Sequence, residues 1–185
     1  MKTFTARPLP VMPLLLVAAV SPAFGQDATA PAPQAATSPA VEVTPFVAMG
    51  SNGSSPIGAA VSFPVGSSFR IEAEVGYRRG EGNINALSSS ANLLYALPRV
   101  GRTVPYLAAG AGLAEYGSPI VAPDGYLIGT QPRTAFVVNA GGGLKVPVDE
   151  SWGMRTDARW FKSFGRDASE HWRVSQGVSF DVGKR

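Results

Sequence analysis

The sequence predicts a transmembrane β-barrel of eight antiparallel strands, and three features of the chain favour this fold class. The segment Trp152–Phe164, WGMRTDARWFKSF, alternates apolar and charged residues with a period of two, as a strand does when its two faces meet different surroundings. Several other segments repeat the pattern at similar length, and no segment has the periodicity of a helix that could cover an apolar sheet face. Short and long connections alternate along the chain, which is typical of membrane barrels.

Composition limits the classes of protein to which the chain can belong. Its 185 residues suit one domain, and the absence of cysteine excludes disulfides and thiolate metal sites. The net charge is +3, but Lys and Arg are scattered singly, whereas a nucleic-acid protein needs a basic stripe. We therefore expect no nucleic-acid partner, no metal and no cofactor.

The N-terminal 40 residues differ in composition from the rest. Lys2 and Arg7 precede the apolar run Val11–Val20, and small residues follow at Ala23 and Gly25. This pattern predicts a signal peptide over residues 1–25, cleaved before Gln26. Residues 26–40 are rich in Ala and Pro and predict a flexible leader. The barrel domain is then 41–185, about 145 residues.

Four strands are predicted in the first half of this domain. They are Val41–Gly50, Ile57–Val65, Phe69–Tyr77 and Leu87–Leu97, and turn-forming residues separate them. The third strand alternates most clearly, with Phe69, Ile71 and Val75 on one face and Arg70, Glu72 and Glu74 on the other. The apolar face is expected to point towards lipid.

Four more strands are predicted in the second half: Val104–Tyr116, Arg133–Val146, Trp152–Phe164 and Trp172–Val182. The fifth and sixth are rich in Gly and Ala, and we place Phe136, Val138, Leu144 and Val146 of the sixth strand outward. The glycine runs Gly110–Gly112 and Gly141–Gly143 lack the Lys-Ser/Thr of a phosphate loop. They are expected to permit close packing and curvature.

The connections support a closed barrel. Those after the second, fourth and sixth strands are short, and longer ones run through Arg79–Asn85, Gly117–Gln131 and Gly165–His171. An open sheet edge in lipid would leave backbone N–H and C=O groups without partners. The first and eighth strands should therefore pair.

The charged faces predict a polar network inside the barrel, and aromatic residues near strand ends predict girdles at the two membrane interfaces. Side chains nearly fill an eight-stranded barrel, so we expect the inward charges to neutralise one another; the alternative is that they line an ion path. The network is Arg70, Glu72, Glu74, Arg155, Asp157, Arg159 and Arg173, and the girdle is Tyr77, Tyr95, Trp152, Trp160, Trp172 and Phe180.

The longest predicted loop, Gly117–Gln131, is the candidate for contact with an external partner. It carries Ile120, Val121, Tyr126, Leu127 and Ile128, and exposed apolar residues in a loop form candidate binding patches. The alternative is that they fold back over the barrel mouth.

The one histidine of the chain, His171, follows Ser169 and Glu170 in the last predicted loop. Some lipid-modifying barrels use a His with a Ser and an acid, but such groups must converge from different strands. We therefore predict a solvated loop histidine, no catalytic residues and no enzymatic activity.

Three segments resemble a known group of proteins: Val104–Tyr116, Ala135–Trp160 and Val174–Gly183. They resemble the small outer-membrane β-barrels related to the OmpA transmembrane domain and the opacity-type surface proteins. The resemblance implies a structural or adhesin-like role in the bacterial outer membrane, with outer-membrane lipid, the barrel-assembly machinery and an extracellular partner reached through the outer loops. Alternatives are a small porin-like channel, a soluble periplasmic ligand-binding barrel and a lipid-modifying enzyme.

Overall fold

The computed structural model describes residues 41–51, 53–79, 85–165 and 168–182, and these form a closed antiparallel barrel. The predicted all-β, eight-stranded fold class is confirmed. The predicted signal peptide and leader lie outside the described residues. The strands are β1 (Val41–Gly50), β2 (Ile57–Pro64), β3 (Phe69–Arg78), β4 (Ala86–Ala96), β5 (Val104–Val121), β6 (Leu127–Pro147), β7 (Trp152–Phe164) and β8 (Glu170–Val182).

The barrel closes between its first and last strands. β1 pairs with β8 from Val41 opposite Val182 to Gly50 opposite Arg173, as predicted from the need to satisfy every backbone group. Val41 and Val182 therefore lie at one end of the barrel, here called the terminal end. The opposite end, where β5 and β6 are joined, is called the hairpin end.

The faces of the strands are inverted relative to a soluble protein. Along β3 the polar Glu72 and Glu74 are buried, whereas Ile71 and Val75 are about half exposed. β7 repeats the pattern, with Arg155, Asp157 and Arg159 buried and Met154 exposed. No helix within the described residues is long and apolar enough to cross a membrane. A continuous apolar outer surface of this kind marks an interaction surface.

Aromatic side chains lie on the outer face near both ends of the strands. Trp152 pairs with Phe180 towards the terminal end, and Trp160 pairs with Trp172 towards the hairpin end. Of the other two predicted girdle residues, Tyr95 lies near the terminal end, with its ring 4.9 Å from Phe69, and Tyr77 near the hairpin end. The predicted girdle residues thus form two bands separated by the smaller apolar residues.

The prediction that Gly117–Gln131 is a loop is wrong. β5 extends to Val121 and β6 begins at Leu127. Between them, the backbone N–H of Ala122 donates to the carbonyl of Tyr126, and Gly125 adopts a φ of 89° that favours glycine. β5 pairs with β4 as far as Tyr116, and β6 pairs with β7 from Phe136. Gly117–Val121 pairs with Leu127–Pro132, and these two segments therefore form a two-stranded ribbon beyond the barrel wall.

Glycines allow close approach in the narrow interior. A Cβ at Gly110 would overlap the side chain of Asn92, and one at Gly143 would overlap the hydroxyl of Tyr106. This agrees with the close packing expected of the two glycine runs.

The tight turn between β6 and β7 is organised by one carboxylate. The backbone N–H groups of Ser151 and Trp152 donate to Asp149 Oδ1 over 2.7 and 3.1 Å. These bonds favour the charged form and lower the pKa of Asp149 from its ordinary value. The turn thereby fixes the start of β7, which carries three of the interior charges.

Candidate functional site in the barrel interior

Inward side chains of three strands meet in the middle of the barrel. β3 is not a neighbour of β7 or β8 in the sheet, so its acids reach their partners across the interior. The group, here called the central cluster, consists of Glu72, Glu74, Arg155, Asp157, Arg159 and Arg173.

Glu72 is fully buried and is held by three donors. Arg155 Nη1 donates to its Oε2, and Arg159 Nη2 donates to its Oε1 over 2.9 Å. Asn92 Nδ2 also donates to Oε1, over 3.2 Å. A buried carboxylate is tolerated only when paired and hydrogen-bonded, and this arrangement satisfies that condition.

Glu74 joins β8 to the same cluster. Arg173 donates to it through both Nη atoms, over 2.6 and 3.0 Å, in the bidentate geometry that suits guanidinium and carboxylate. The Arg173 guanidinium carbon also lies 4.7 Å from the Phe161 ring centre and 5.1 Å from that of Phe46. These rings stabilise the cation on its apolar faces.

Asp157 is approached by arginines and by hydroxyl groups. Its Oδ2 lies 3.4 Å from Arg155 and 3.3 Å from Arg159. Tyr106 donates its hydroxyl to the same oxygen over 3.0 Å, and Ser175 donates to Oδ1 over 2.7 Å. Tyr106 is not among the site residues predicted from the sequence, because β5 is dominated by Ala and Gly, which obscures its inward face.

A second group, the terminal cluster, lies nearer the terminal end. Lys145 donates to Glu42 and is 3.7 Å from Asp181, and Arg70 is 4.0 Å from Glu42. Arg70 also donates to the hydroxyl of Ser62 over 3.0 Å. The structure thus places Arg70 with Glu42. Glu42 and Lys145 were missed, although each falls on the inward phase of its strand.

Opposite charges are equal in number in both clusters. Three arginines face three acids in the central cluster, and Arg70 and Lys145 face Glu42 and Asp181 in the terminal cluster. A cavity of about 10 Å³ borders Glu74, Arg155 and Asp157, which is about the space that one water molecule needs. Side chains therefore fill the middle of the described barrel.

A larger cavity of about 160 Å³ lies inside the barrel at the hairpin end, and we call it the cup. His171 lines it. The prediction of a solvated loop histidine is wrong, because β8 begins at Glu170 and the His171 ring stacks on Phe161 with centres 5.2 Å apart. Ser163 and Ser169, also in the lining, have their hydroxyl oxygens 3.0 Å apart.

The predicted contact residues lie in the ribbon and its turn. Val121 ends β5, Leu127 begins β6, and Ile120 and Ile128 are also strand residues, so only Tyr126 belongs to the turn. Tyr126 is 74% exposed, Ile128 67% and Ile120 42%. Elsewhere, no group of three or more His, Asp or Glu side chains in the described ranges is placed to hold a metal ion.

Solved structures of small membrane barrels are similar to this chain. The N-terminal β-barrel domain of Pseudomonas aeruginosa OprF has 19% sequence identity and a TM-score of 0.57, over 77% of this chain and 97% of that domain. Neisserial surface protein A has 13% identity and a TM-score of 0.58, over 78% and 96%. The outer-membrane enzyme PagL has 16% identity and a TM-score of 0.51, over 76% and 99%.

No family model and no curated protein sequence matches the chain. At these identities the structural likeness establishes the fold. The predicted resemblance to small outer-membrane barrels is confirmed at that level, and this chain has the eight-stranded barrel fold that those proteins share.

Proposed function

We propose that the protein is a bacterial outer-membrane barrel with a structural and surface-interaction role and a closed interior. The observation that carries the proposal is the inversion of the barrel. Apolar residues such as Ile71, Val75 and Met154 point outward, while Glu72 and Arg159 are fully buried inside. Lipid is the surrounding that suits such a surface.

The same inversion disfavours a soluble ligand-binding barrel. A soluble barrel turns its apolar side chains inward around a small molecule. Here the interior holds the central cluster, and the cavity at its middle measures about 10 Å³. The cluster also disfavours the porin-like alternative, because guanidinium and carboxylate groups occupy the path that a solute would take.

The non-enzymatic part of the proposal rests on how the candidate catalytic groups are engaged. The His171 ring lies flat against Phe161, at an interplanar angle of 10°. The hydroxyls of Ser163 and Ser169 form a hydrogen bond with each other. Catalysis by a histidine and serine requires those two side chains to be bonded to each other, so these contacts favour a structural role.

The ribbon is the proposed interaction surface. Its backbone edges lie beyond the part of β5 that pairs with β4 and the part of β6 that pairs with β7, and Ile120, Tyr126 and Ile128 are exposed on it. Exposed aromatic and apolar side chains beside unpaired strand edges suit contact with another protein. In the outer membrane this end would face the outside of the cell, since long connections of such barrels do so.

Membrane location is tested by fractionating cells that produce the protein. We expect it in the outer-membrane fraction, soluble only in detergent and resistant to extraction with salt and carbonate. Recovery in the periplasmic extract without detergent contradicts the proposal.

The surface role is tested by replacing Ile120, Tyr126 and Ile128 with serine. We expect cells that display this variant to lose adhesion to a panel of immobilised glycans and extracellular proteins. The matched control is Val100→Ser, which changes an exposed apolar residue near the terminal end (71% exposed). The surface role is wrong if the unchanged protein adheres to no member of the panel, or if the ribbon variant and the control adhere equally.

A further inference from the structure

The cup at the hairpin end is large enough for a small organic molecule. Its volume of about 160 Å³ is roughly ten times the ~15 Å³ that one water molecule needs. It is therefore suited to a molecule of about ten non-hydrogen atoms.

The wall of the cup combines hydroxyl groups with flat rings. Ser88 and Ser90 of β4 and Ser163 of β7 contribute the hydroxyls. His171 and Phe161, stacked on each other, contribute the rings. A ligand with a flat apolar body would bury that body against the rings.

The floor of the cup contains a buried donor that lacks a partner. The side chain of Arg173 is 6% exposed, and its two Nη atoms bond to Glu74. In the part of the chain that the structure describes, its Nε forms no hydrogen bond. Leaving a buried N–H unbonded is costly, so an acceptor that reaches Arg173 from the cup would be stabilised.

The charge of the lining favours an anion. Glu74 is the sole carboxylate among the described lining residues, and it is already engaged by Arg173 and Arg159. Arg78 adds a further positive charge to the wall. Arg78 and Arg173 together outweigh Glu74, so the lining carries a net positive charge of one. The central cluster beneath it is neutral.

We propose that the cup binds a small organic anion that carries a carboxylate on a flat, apolar body. The carboxylate lies between Arg78 and Arg173, and the body lies beside His171 and Phe161. This site is separate from the proposed surface role, because it uses the barrel interior and none of the ribbon.

Binding can be followed at a single residue, since His171 is the one histidine of the chain. The folded full chain in lipid nanodiscs is titrated with benzoate while the ring signals of His171 are recorded by NMR. We expect saturable shifts with benzoate and about fivefold weaker binding of benzyl alcohol, which has a similar size and no charge. Equal binding of the two probes, or shifts that do not saturate, would overturn the proposal.

Two variants and one control locate the probe. Arg78→Gln is expected to weaken benzoate binding about fivefold, and Ser88→Leu to abolish it by filling the cup. Ala91→Leu places the same side chain on the outer face of β4, where Ala91 is exposed, and is expected to leave binding unchanged. Circular dichroism confirms that each variant is folded. Unchanged affinity in folded Ser88→Leu would show that benzoate binds elsewhere and would refute the assignment.

Discussion

Among single residues, Arg159 carries the strongest prediction, because it is fully buried and touches all three acids of the central cluster. Arg159→Ala leaves buried carboxylates with fewer partners, and breaking such a pair costs about 3–5 kcal/mol. We expect a loss of that order in the free energy of unfolding, measured with urea for the barrel in lipid vesicles.

The control for Arg159 is its neighbour Ala158, which is exposed on the outer face of the same strand. Ala158→Val should change the free energy of unfolding by no more than about 0.5 kcal/mol. Equal effects of the two substitutions would mean that the central cluster contributes little to stability.

Gly143 provides a second test at the scale of one residue. Gly143→Ala pushes a methyl group against the backbone carbonyl of Thr156 and the hydroxyl of Tyr106. That hydroxyl donates to Asp157 and accepts from Arg155. We expect a loss of about 2 kcal/mol, as for other overpacked interiors. Ala140→Val on the outer face of β6 is the control, and urea unfolding that ranks it as the more harmful change would contradict this account.

The sequence predicts which residues of a strand face inward only where neighbouring residues differ clearly in polarity. In β7, large charged and apolar residues alternate, so the inward phase of Arg155, Asp157 and Arg159 can be read directly. In β5, Tyr106 is followed by several Ala and Gly residues, which differ little in polarity. The sequence therefore does not show that Tyr106 faces inward. Lys145 is obscured in the same way by the glycines before it in β6.

Period-two alternation in the sequence predicts the strands that form the barrel wall, but it does not predict the ribbon. Period-two alternation comes from a difference between two surroundings, and beyond the barrel wall both faces of a strand meet the same solvent. The segment from Gly117 to Gln131 therefore has no alternating pattern. Its Gly and Pro residues are typical of loops, and the pairing of β5 with β6 is seen only in the structure.

The ribbon should be dispensable for the stability of the barrel. Residues 118–121 and 127–131 pair only with each other, so replacing residues 118–130 with a short Asn-Gly turn removes no pair to β4 or β7. We expect the urea midpoint in vesicles to stay the same while adhesion is lost. A clear drop in the midpoint would show that the ribbon braces the wall.

At the scale of the whole molecule, closure of the interior predicts the absence of appreciable conductance. The central cluster links β3 to β7 and β8 across the barrel, so ions would have to break several buried pairs to pass. In planar lipid bilayers we expect a baseline close to that of bare lipid. Stable open conductance of the unchanged protein would favour the porin-like alternative.

A paired substitution tests whether the central cluster is what closes the interior. Glu72→Ala with Arg159→Ala removes one charge of each sign and leaves space in the middle of the barrel, so we expect measurable conductance in the same bilayers. The outward Ala158→Val serves as the control and should remain silent. A silent double variant that is folded would assign closure to other side chains.

The distribution of the interior charges along the chain has a consequence for the order of folding. Within the two clusters, the first four strands contribute Glu42, Glu72 and Glu74 with one arginine, Arg70, whereas the last four contribute four cations with Asp157 and Asp181. Neither half is neutral alone, and the two attract each other strongly once water is excluded. Because β1 meets β8 only after the whole chain has been laid down, this attraction opposes release of a half-built sheet and draws its two edges together.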